Sequence, residues 1–165
     1  MEVTFQELCS SLEGLRKLYV EILRLAKMKR KELVLGNLKG VEEITKEEEQ
    51  LVIEAGRLEN ERYQQSKQLS QQYDLPPEAT LSDFIKMASD EDKAKLQDLQ
   101  EQMTKLAAEI DEVNQENILL IEQSLKFINF SIDVLTTPSD VDTYDVELGK
   151  GQKKENISRI LDKKI

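Results

Sequence analysis

An uninterrupted apolar seam in the second half of the chain constrains its fold more than any other feature. Leu96, Leu99, Met103, Leu106, Ile110, Val113, Asn117, Leu120, Ser124, Phe127, Ser131 and Val134 follow one another in three-four alternation, and neither Gly nor Pro interrupts them. That spacing gathers the side chains into one stripe of an α-helix. It predicts a single helix of about 45 residues, roughly 68 Å long. Such a stripe must be covered, so the rest of the chain is expected to supply helices that pack along it.

Two further stripes meet that expectation. Thr4 and Glu7 form a capping box behind Val3, and Phe5, Leu8, Leu12, Leu15, Tyr19, Ile22, Ala26 and Leu33 follow at helical spacing. Gly36 suits a helix C-cap and Asn37 the next N-cap. A second stripe then runs through Val41, Ile44, Glu48, Leu51, Ala55, Leu58, Arg62 and Leu69, with Glu48 and Arg62 as polar interruptions. Pro76 and Pro77 end it, and Thr80 and Asp83 open a short helix carrying Leu81, Phe84, Ile85 and Met87. The expected fold is all-α: an elongated antiparallel three-helix bundle or coiled coil with a short extra helix. Residues 1–135 form the bundle, with helices near 4–35, 38–72, 81–88 and 90–135, and residues 136–165 are expected to be a flexible tail. The tail is partly amphipathic, through Ile157, Ile160, Leu161 and Ile165, but too short to hold a helix without a surface to dock on.

Charge and residue types narrow the function. With 33 acids against 23 Lys and Arg the net charge is -10, which works against a phosphate-rich partner, so no nucleic acid is expected. The one basic run, Lys27 to Lys31, sits near a helix end, where cations complement the dipole, and reads as solvated. There is no His, and Cys9 stands alone, so catalytic, metal and cofactor sites are not expected. Cys9 itself reads as a partly buried thiol suited to a reducing compartment. Asp140, Asp142, Asp145 and Glu147 lack the turn glycine and final Glu of a calcium loop, and Gly149-Lys150-Gly151 lacks the strand and spacing of a phosphate loop. The first residues carry no signal-peptide pattern and no run is long enough to span a membrane, so a cytoplasmic protein without membrane insertion is expected.

The segment from Leu119 to Leu135 stands apart, because ten of its 17 residues are apolar and they spread beyond one stripe. Two readings coexist. Either both neighbouring helices bury it, or Leu120, Phe127, Phe130 and Val134 leave a face open for a partner's helix. Asn114 and Asn117 lie one turn apart on or beside the seam, where a buried Asn fixes register at some cost in stability.

These residues carry a resemblance. Asn114, Asn117, Leu120-Ile121, Gln123-Ser124-Leu125 and Phe127, followed by a Pro and a Tyr…Gly tail, resemble the FlgN-like flagellar export chaperones. The likeness extends to the leucine-rich first helix with its basic end, the Gly36-Asn37 junction, Leu58 with Glu61-Arg62, and the loop into Thr80-Leu81. It implies a cytosolic chaperone that binds hook-filament junction proteins, keeps them unassembled and delivers them to the flagellar type III export gate and its ATPase apparatus, without hydrolysing ATP itself. It also implies that substrate binds the end of the third long helix and the tail, including Ile157, Ile160 and Leu161, and that Tyr144 contacts the gate. Gly149 follows Tyr144 at a wider spacing than the family pattern. The other class of reading is a structural coiled coil that self-assembles through its long helix, and a homodimer is compatible with either.

Overall fold

The computed structural model describes residues 2–136, which form four helices: α1 (Phe5–Leu35), α2 (Leu38–Gln72), α3 (Leu81–Met87) and α4 (Asp90–Thr136). Local chemistry sets their ends. The Glu7 N–H donates to Thr4 Oγ1 at 3.2 Å and the Thr4 N–H donates back to Glu7 Oε2 at 2.8 Å, satisfying donors that the first turn leaves orphaned. Gly36 closes α1 at φ 69°, a left-handed conformation that a side chain disfavours, and its N–H is bonded within the last turn. Asn37 Oδ1 then accepts from the Gly40 N–H at 3.2 Å and starts α2. At α3 the Asp83 carboxylate accepts from both the N–H and the hydroxyl of Thr80, at 2.9 and 2.8 Å.

The tight turn at Gly36 sends α2 back antiparallel to α1, and the α2–α3 connection returns the chain so that α4 runs parallel to α1. Parallel alignment is fixed by contacts at both levels. Phe5 and Leu8 pack near Leu96 and Leu99, while Ala26 packs near Ile110 and Val113. The expected stripes face inward, from Phe5 to Leu33 on α1 and from Leu96 to Asn117 on α4. The bundle is layered unevenly, however. α1 lies against both long helices, whereas no Cα of α2 comes within 8 Å of a Cα of α4. α1 is therefore the central helix.

One end is sealed. Phe5, Leu8, Cys9 and Leu12 of α1, Leu69 of α2, Phe84 and Ile85 of α3, and Leu96 and Leu99 of α4 form one buried cluster, with Leu75 and Ala79 of the α2–α3 connection packed on it. Phe84 is 2% exposed, and the Phe5 and Tyr73 rings meet at 5.2 Å. Burying an aromatic of this size stabilises by about 2–3 kcal/mol. α3 is short, yet it covers the start of α4 as a plug. Burial pushes the Cys9 thiol above its ordinary pKa, with Asp92 adding to the effect, which keeps it protonated at neutral pH.

The interior then changes character. Beyond Leu23, Ala26, Ile110 and Val113, the seam meets a collar of polar groups. Lys29 of α1 pairs with Glu48 of α2, both buried. Asn117 of α4, 1% exposed, donates from Nδ2 to the Ala26 carbonyl at 2.9 Å. Around them Lys27 reaches Glu109 at 3.7 Å and Arg30 pairs with Glu116, both linking α1 to α4. The expected solvated basic run is thus corrected at Lys29, while Lys27 and Lys31 stay exposed. Lys29 continues the three-four stripe between Ala26 and Leu33, so its side chain turns inward onto the carboxylate that interrupts the α2 stripe.

Candidate functional site

The offset between bonded partners on α1 and α4 sets where their contact runs out. Ala26 bonds residue 91 positions later and Arg30 one 86 positions later, so the end of α1 lies level with about residues 121–126 of α4. Roughly ten to fifteen residues of α4, about 15–22 Å of helix, therefore project past the α1–α2 turn. Burial records the change at once. Ile110, Val113 and Asn117 are buried, whereas Phe127 is 71% exposed and Leu135 84%.

Helical geometry explains why this matters. At about 100° per residue, the apolar side chains from Phe130 and Val134 through Phe127 and Leu120 to Ile128, Ile121, Ile132 and Leu125 sweep roughly 220° of the α4 surface. α1 covers only the middle of that arc. Glu122, Lys126, Asn129 and Asp133 fill the remainder. Leu33 is buried against this level, but Val34, Leu35 and Leu38 around the turn are exposed.

Between the turn and α4 lies an open groove of about 580 Å³. Leu33, Leu35 and Leu38 form one wall, and Leu120, Phe127 and Ile128 the other, with Gln123 and Ser124 the polar groups along it. A volume in that range suits one or two turns of a partner's apolar helix face. Three hydroxyls mark the helix wall. Ser124 donates to the Leu120 carbonyl at 2.9 Å, Ser131 to that of Phe127 at 2.9 Å and Thr136 to that of Ile132 at 2.6 Å. Side-chain bonds of this kind slightly weaken and bend a helix.

Of the site residues expected from sequence, Leu120 and Phe127 meet in the groove. Phe130 and Val134 lie farther along the projecting helix and are exposed. Tyr144, Ile157, Ile160 and Leu161 fall outside the described residues, as do the acidic cluster from Asp140 and the Gly149-Lys150-Gly151 segment. Asn117 is buried on the seam and Asn114 half-buried beside it. The reading in which both neighbouring helices bury residues 119–135 is overturned, because α2 stays away from α4 and α1 ends too soon. Sequence alone does not single out Ile128 on the α4 wall; the leucines of the opposite wall, Leu33, Leu35 and Leu38, lie at the helix junction that an up-down-up arrangement sets beside the end of α4.

Among the described residues no group of three or more His, Cys, Asp or Glu is placed to hold a metal, and no helix is long and apolar enough to cross a membrane. The site offers apolar surface without a nucleophile or a paired acid and base. Compared with known proteins, the chain matches the model of the FlgN protein family over residues 1–151. No curated protein and no solved structure matches it.

Proposed function

The chain belongs to the FlgN family of flagellar export chaperones, and from that premise we propose that it binds hook-filament junction proteins in the cytoplasm through the open end of the bundle. It keeps them from assembling early and delivers them to the flagellar type III export gate. The observation that carries this reading is the groove between the α1–α2 turn and the projecting end of α4. A client's terminal helix laid against Leu38, Leu120, Phe127 and Ile128 covers apolar surface that the bundle leaves in water. Phe130 and Val134 extend the same surface, and the proposed gate contact at Tyr144 lies beyond the described residues. Nothing in this role asks the protein to perform chemistry. Binding by burial without a charged anchor is readily reversed, which suits a carrier that must surrender its cargo.

Calorimetric titration of the whole chain with a terminal segment of a hook-filament junction protein tests the proposal. One-to-one binding that Phe127→Asp weakens at least about tenfold is the expected result, since truncating a central aromatic anchor typically costs 2 kcal/mol or more. Failure of the folded chain to bind any such segment overturns it.

A second reading rests on the same projecting helix. A surface of roughly 220° can also pair with another copy, giving a self-assembling coiled coil. Sedimentation across a hundredfold concentration range separates the two, because self-assembly predicts a stable dimer that Phe130→Asp dissociates.

A further inference from the structure

The sealed end shows what this fold needs at the open one. There, Leu81, Phe84 and Ile85 of the seven-residue α3 present an i, i+3, i+4 triplet to α4, and the last two are buried. The same spacing recurs as Ile157, Ile160 and Leu161. No described helix plugs the groove bounded by Leu38, Leu120, Phe127 and Ile128.

We infer that the segment Lys153 to Ile165 is an internal occupant of this groove, seating Ile157, Ile160 and Leu161 on Leu120 and Ile128 and yielding the place when a client binds. Reach permits it. The 20 residues 137–156 separate the end of α4 from Ile157, and a coil of that length spans about 25 Å. The groove lies some 14–24 Å back along α4 from Thr136, measured to Phe127 and Leu120. Charge favours it as well. Residues 153–165 hold five Lys and Arg against two acids, while residues 1–152 hold 18 against 31, so a basic segment meets an acidic body. Attachment does the rest, because a tether of this length presents the segment at an effective concentration near the millimolar range. A segment whose own affinity is only millimolar or somewhat better is then present in the groove for half the time or more, without blocking it.

The docking itself does not depend on which client is bound; the competition rests on the function proposed above. Methyl spectra of the full-length chain are compared with those of a double variant, Ile160→Asp with Leu161→Asp, whose substitutions lie outside the helical bundle. The expected result is shifts at the Leu38, Leu120 and Ile128 methyls and none at Ile85 or Leu96. Unchanged groove methyls overturn the inference, as do shifts that scale with protein concentration, which would place a second copy there. The variant is expected to bind a junction-protein terminal segment about two- to tenfold more tightly than the unaltered chain. Groove shifts with no client binding by either chain would sink the proposed function and leave the docking standing. Client binding without groove shifts would do the reverse.

Discussion

The two ends of this bundle are built from the same kind of residue and treat it in opposite ways. At one end Leu81, Phe84 and Ile85 close over Phe5, Leu8 and Leu96, and four segments of chain share one core. At the other, Leu35, Phe127 and Leu135 stand in water on two helices of unequal length. The difference lies in register. α1 and α4 start together, but α4 has 47 residues against 31, so its stripe outlasts the helix that covers it. Apolar patterning alone does not make a core; a neighbour of matching length has to be present.

The contrast can be broken most directly by truncating one aromatic at each end. Phe84→Ala is expected to cost about 3–5 kcal/mol in chemical denaturation, whereas Phe127→Ala is expected to fall within about 0.5 kcal/mol. Similar losses would mean that the two ends are equally packed. At the collar between them, Lys29→Met strands the Glu48 carboxylate and is expected to cost about 3 kcal/mol in the same assay. Adding Glu48→Leu should recover most of that loss, because an apolar pair of similar volume needs no partner.

Cys9 gives a gentler probe of closure. Its reaction with a thiol reagent at neutral pH is expected to be about a hundredfold slower than that of an exposed cysteine, faster in Phe84→Ala and unchanged in Phe127→Asp. The smallest effect concerns acid. The Thr80 bonds hold the Asp83 carboxyl below its ordinary pKa, so the stabilisation they give is complete above about pH 4 and fades as pH falls through the lowered value. The protection of the Thr80 amide from exchange, taken relative to its intrinsic rate at each pH, should therefore fall on acidification below that point and should show no such fall in Asp83→Asn.

Helices, caps and topology were legible because each is written locally: a Thr4–Glu7 box, a Gly36-Asn37 junction, two prolines and three stripes. The collar was half legible. Glu48 interrupts the α2 stripe and Lys29 sits in the gap between Ala26 and Leu33, so opposite charges on two facing stripes announce a buried pair. Read as part of a basic run, Lys29 loses that signal. Asn117 could be placed on the seam by periodicity, but its bond to the Ala26 carbonyl depends on how α1 and α4 align, which no single stripe records. The groove is harder still. Its helical wall follows from the excess of apolar residues after Leu119, yet its other wall comes from three leucines around a turn, brought there only by the offset between helices.

A helix end without neighbours among the described residues is held by little more than its own ladder, and the hydroxyls of Ser124, Ser131 and Thr136 already loosen that ladder. The last turns of α4 are thus the first to melt on warming, long before the sealed end opens. The size of the receptor then becomes a function of temperature. A client that grips Leu120 and Ile128 should feel this little, while one that relies on Phe130 and Val134 must first rebuild the turns it lands on, and its affinity should fall more steeply with heat.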